Sequence, residues 1–87
     1  MEKVWTLYIL QCRDDTLYTG ITDDLQRRIA AHTAGKGAKY TRGRGPFILR
    51  YSEQCPDHNT ALRREHQVKK LSRQEKLALC DPAKTEK

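Results

Sequence analysis

With 87 residues the chain has the length of one small domain, and folding at that size buries only about 60% of the unfolded surface, leaving a single modest core. Its apolar runs are short, which excludes a membrane span or a signal-peptide core. The net charge is +6, and no acidic residue lies between Asp24 and Glu53, an interval that holds Arg27, Arg28, Lys36, Lys39, Arg42, Arg44 and Arg50; cations gathered in this way favour a polyanion such as nucleic acid through counterion release.

In chain order, "VWTLYIL" (4–10) is β-branched, aromatic and aliphatic and predicts a strand. The polar "QCRDDT" predicts a turn, and "LYTGIT" (17–22) a second strand that completes a hairpin. Thr22 then has the character of a helix N-cap, with Asp23 and Asp24 in the first turn, where the helix dipole favours acids. That helix is expected to end near Thr33, before Gly35. "AGKGAKYTRGRGP" is glycine-rich, closes on a proline and has no periodicity, so it predicts a loop. "FILRYSE" (47–53) predicts a third strand.

After Pro56 a second helix is expected from Asn59 or Thr60 to about Leu71. Ser72 and Glu75 have the spacing of a capping box for a third helix ending near Cys80. The order is β-β-α-β-α-α: an α+β fold with a small antiparallel sheet flanked by helices. One domain is expected over residues 1–81, with a flexible tail over 82–87. Cys12, Cys55 and Cys80 are an odd number and include no CxxC pair, which suits reduced thiols and a cytoplasmic location rather than a disulfide framework or a zinc site.

Three groups of residues carry chemical interest. Tyr8 and Tyr18 lie across the hairpin and leave the same sheet face if the pairing has equal parity; Gly20 shares that face and leaves an opening beside the phenol of Tyr18. Arg28 and His32 are related as i and i+4 on the first helix, at the border between core and solvent. At about 100° per residue, Ala61, Leu62 and Val68 define the inward face of the second helix, and Glu65 falls near its middle. Each group has a plain structural reading: a cross-strand aromatic pair, a snorkelling arginine beside a packed histidine, and a Glu65–Lys69 helix pair. A surface pair does not require an inward carboxylate, whereas a divalent cation at the rim of the sheet does, and one carboxylate with water and phosphate oxygens suits Mg²⁺ or Mn²⁺.

The wording "LYIL", "LYTG", "DLQRRIAAH" and "ALRRE" resembles the GIY-YIG nuclease domain, and "GKGAKYTRGR" with "LRREHQVKKLSRQEKLAL" resembles its small stand-alone YhbQ-like group. The resemblance covers residues 4 to about 80. It implies a three-stranded antiparallel sheet flanked by helices, with Tyr8, Tyr18, Arg28, His32 and Glu65 as catalytic residues, Gly20 closing the second motif and Glu65 holding one divalent metal. The first motif departs from the family wording at Leu7-Tyr8-Ile9, and Thr19 stands where isoleucine is usual, but both tyrosines are kept. The implied activity is metal-dependent hydrolysis of DNA phosphodiesters, structure-selective or weakly specific, with a role in DNA repair or processing. The other reading is a non-catalytic DNA- or RNA-binding module on the same scaffold. In either case Lys36, Lys39, Tyr40, Arg42, Arg44, Lys69 and Lys70 are the candidate nucleic-acid contacts, with Tyr40 available to stack on a base, and neither a membrane nor an obligate protein partner is expected.

Overall fold

The computed structural model describes residues 4–37 and 41–80. It contains β1 (Trp5–Gln11), β2 (Leu17–Thr22), α1 (Leu25–Thr33), β3 (Ile48–Cys55), α2 (His58–Lys69) and α3 (Arg73–Cys80), in the expected order β-β-α-β-α-α. The sheet is antiparallel with strand order β2-β1-β3, so β1 is central. Leu7, Tyr8, Ile9 and Leu10 are all buried. Four consecutive buried residues mean that helices cover both faces of this strand.

The pleat divides those residues between two chemistries. Leu7 and Ile9 face a core with Val68 of α2 and Cys80 of α3, to which Leu17, Ile21, Tyr51, Leu71 and Leu79 add partly buried surface. Tyr8 and Leu10 face the other way, toward α1, as the Tyr8–His32 hydrogen bond demonstrates. β3 carries one extra residue opposite β1, because Ile9 pairs with Tyr51 and Leu10 with Leu49. This bulge at Arg50 keeps Tyr51 and Glu53 on the α2 side and turns Leu49 to the α1 side.

Helix boundaries differ from expectation for a local reason. Thr22 is not the N-cap of α1: its Oγ1 accepts the Asp24 N–H in a tight side-chain turn. Asp24 is the cap, its carboxylate accepting the Arg27 N–H, so no acid lies in the first turn. Likewise Asp57 caps α2, accepting the Thr60 N–H at 2.7 Å, and the helix starts at His58 and ends at Lys69. The Ser72–Glu75 capping box is present in both directions. The 82–87 tail, with Lys39 and Tyr40, lies outside the described residues.

Candidate active site

The hairpin register decides how the two phenols meet. Tyr8 stands opposite Gly20, and Tyr18 opposite Leu10. Equal parity puts both side chains on the α1 face, diagonal to one another, with ring centroids 6.3 Å apart. The space at Gly20 is filled, not open: a Cβ there would lie 2.6 Å from the Tyr8 hydroxyl and 3.1 Å from Tyr18 Cε2. Glycine is therefore required for the Tyr8 phenol to cross the neighbouring strand.

α1 supplies Arg28 and, one turn later, His32. His32 is not at a solvent border; it is only 1% exposed. Its imidazole sits among Tyr8, Tyr18 and Phe47, at centroid distances of 5.9, 5.3 and 5.9 Å. Nε2 is 2.9 Å from the Tyr8 hydroxyl and Nδ1 is 2.7 Å from Thr41 Oγ1. Gly37 closes the loop over the ring so tightly that a Cβ would collide with Nδ1. Thr41 and Gly37 were not singled out from the sequence; the glycine-rich wording marks a loop but does not indicate what the loop lies against.

Electrostatics give this chain of contacts a direction. Burial raises the Tyr8 phenol above 10.0, and the hydrogen-bonding pull of Arg28 only partly opposes it. Burial lowers His32 below 6.5, and the Arg28 charge adds to the effect. Both groups are therefore neutral at pH 7. Arg28 faces both phenols, chiefly Tyr8, and these contacts hold its charge. Because guanidinium offers the Tyr8 oxygen only donors, the network directs the Tyr8 hydrogen to His32 Nε2 and leaves Nδ1–H to donate to Thr41 Oγ1.

Glu65, the remaining candidate, lies on α2. The helix seats Ala61 and Val68 inward, both fully buried. Leu62, expected on that face, is 43% exposed, since it lies about 100° around the helix from Ala61. Glu65, closer to the Ala61–Val68 line, has only 20% of its side chain exposed. It is near enough to Tyr8 for its charge to act on the phenol. Lys69 Nζ lies 3.2 Å from its carboxylate as an i, i+4 pair, an interaction worth a few tenths of a kcal/mol and easily exchanged. Among the described residues no three His, Cys, Asp or Glu side chains gather around it. A lone carboxylate does not provide the three or four protein ligands of zinc, but it fits a hard cation that retains water and takes substrate phosphate oxygens.

The remaining cations divide. Lys36, Arg42 and Lys70 are exposed. Arg44 is not a free arm: it pairs with Asp14, and its backbone carbonyl accepts the Arg13 N–H, which ties the loop to the β1–β2 turn. Arg64 pairs with Glu53 at 2.9 Å, and the Tyr51 hydroxyl donates to the same carboxylate at 2.6 Å, fastening α2 to β3.

The GIY-YIG catalytic domain family matches residues 4–78. The chain belongs to that family. Among similar proteins, the UPF0213 protein VNG_2274C of Halobacterium salinarum is 53% identical over 73 residues, covering 84% of this chain and 95% of that protein. The UPF0213 protein OB0043 of Oceanobacillus iheyensis is 47% identical over 81 residues, covering 93% and 94%. The solution NMR structure of the UPF0213 protein BH0048 from Bacillus halodurans is similar with a TM-score of 0.59 and 47% identity, over 93% of this chain and 90% of that one. The fold described above is thus shared with that UPF0213 structure. Among the described residues no helix is long and apolar enough to cross a membrane.

Proposed function

We propose that the protein is a divalent-metal-dependent endonuclease that hydrolyses DNA phosphodiesters, selecting structure rather than sequence, as in DNA repair or processing. The observation that carries this reading is the placement of one guanidinium, Arg28, against two phenols, one of them bonded to a buried neutral imidazole. A structural aromatic cluster has no need of an arginine beside it; a phosphoryl-transfer site needs fixed positive charge where the phosphate gathers negative charge.

Burial separates the two phenols into different roles. Tyr8 is fully enclosed and neutral, so it anchors Arg28 and His32. Tyr18 is half-buried beside the same arginine, and it is the phenol that meets the attacking water as general base. Arg28 stabilises the charge that develops on the phosphoryl oxygens. His32 keeps the Tyr8 hydroxyl turned away from Arg28, so that the oxygen lone pairs remain for the guanidinium. Glu65 would hold a Mg²⁺ or Mn²⁺, which when bound would supply Lewis-acid charge for phosphodiester hydrolysis.

Purified protein incubated with supercoiled plasmid and Mg²⁺ or Mn²⁺, beside Glu65→Ala, tests the proposal. Nicking by the parent and a loss of about a hundredfold or more in the variant is the expected result. Equal nicking by both, or none by either on plasmid, branched and single-stranded DNA, would overturn it.

A further inference from the structure

The outer edge of β2 carries a feature that the hydrolytic residues do not use. A trough of about 340 Å³ is lined by Leu17, Tyr18, Thr19, Lys69 and Lys76. Leu17 and Lys76 also line a second hollow of about 220 Å³, with Thr16 and Arg73, so the two hollows are neighbours along the strand edge. Its charge comes from the α2–α3 elbow, where Lys69 ends one helix and Arg73 and Lys76 open the next. Among the described residues neither Arg73 nor Lys76 has a carboxylate partner, and no acidic side chain lines either hollow.

Thr19 provides the independent sign of a ligand. It is 3% exposed, it lines the trough, and its Oγ1 is buried without a hydrogen-bond partner among the described residues. Buried hydroxyls are seldom left in this state, because the desolvation cost is not returned. Unlike Tyr8, which leaves the opposite face, Thr19 gains nothing from the Arg28–His32 cluster.

We infer that this trough is a phosphodiester subsite: Lys76 and Arg73, with the Thr19 hydroxyl, hold a backbone phosphate of the DNA strand flanking the one presented to Tyr18. The inference rests on the proposed nuclease reading for the identity of the strand. Lys69, which pairs with Glu65, lines the same trough. Cations along a groove beside the strand that carries Tyr18 fix the register of a nucleic-acid strand without reading bases.

Fluorescence anisotropy of a short dye-labelled oligothymidylate, titrated in EDTA across a salt series, reads the subsite with hydrolysis suppressed. The Arg73→Gln/Lys76→Gln variant is expected to bind several-fold more weakly, with a log–log salt slope shallower by about one unit. Lys76→Arg, which keeps the charge, is expected to retain most of the affinity. Thr19→Val is expected to lose affinity a few-fold while its melting temperature holds or rises, because the isosteric change removes an unsatisfied hydroxyl. A slope in the double variant equal to the parent's, or an unchanged affinity in Thr19→Val, would overturn the inference. Because the plasmid assay is separate, nicking with an unaltered salt slope refutes the subsite alone, and a shifted slope without Glu65-dependent nicking refutes the nuclease reading alone.

Discussion

The Tyr8 hydroxyl lies 2.9 Å from His32 Nε2, and both residues are buried. This contact joins the central strand to α1, and burial keeps both groups neutral at pH 7. Because burial lowers the His32 pKa below 6.5, the unfolded chain takes up a proton in mild acid that the folded chain refuses. The stability contributed by His32 is present above about pH 6.5 and is lost as pH falls through the lower folded value. Urea titrations from pH 8 to pH 5 are expected to show falling stability on the acid side, with a gentler fall in His32→Asn.

Tyr8 imposes the opposite limb. Its folded pKa lies above 10.0, so its contribution is present at neutral pH and lost as pH rises past that value into the folded titration. The same titrations between pH 9 and pH 11 are expected to show the parent losing stability more steeply than Tyr8→Phe.

Gly20→Ala places a methyl group 2.6 Å from the Tyr8 hydroxyl and 3.1 Å from Tyr18 Cε2. Both phenols must move, at a cost of about 1–3 kcal/mol. Thermal melts are expected to fall accordingly, and cleavage at a temperature where the variant is still folded is expected to fall further than the melt accounts for.

Thr41→Val removes the acceptor of His32 Nδ1–H inside the aromatic box. A buried donor left without a partner costs about 1–3 kcal/mol. Arg64→Ala is the contrasting case: its pair with Glu53 is partly solvent-screened, so the loss is expected to stay below about 1 kcal/mol. Denaturant midpoints of the two variants are expected to rank in that order, with DNA cleavage by Arg64→Ala unaffected once the protein is folded.

Much of this site is legible in the chain. Alternation in "LYIL" and "LYTG" about a polar turn places Tyr8 and Tyr18 on one face, as the register shows. Helical spacing places Arg28 beside His32 and Glu65 near the inward line of α2. Supports that depend on chain closure are not legible: Thr41 and Gly37 reach His32 through a loop with no periodicity, and nothing local marks them. Boundaries shifted where two capping side chains compete, as Thr22 and Asp24 do before α1. Leu62 misled for a different reason: the seam of α2 is narrow, so only Ala61 and Val68 are fully enclosed.

The proposed cleavage depends on Arg28 and Tyr18 acting together on one phosphate. Single-turnover cleavage of a labelled DNA substrate by Tyr18→Phe, Arg28→Ala and the double variant measures this directly. Each single change is expected to slow cleavage by about 10²–10⁴, with the double variant scarcely slower than the worse single. Parent-like cleavage rates in both single variants would contradict the account.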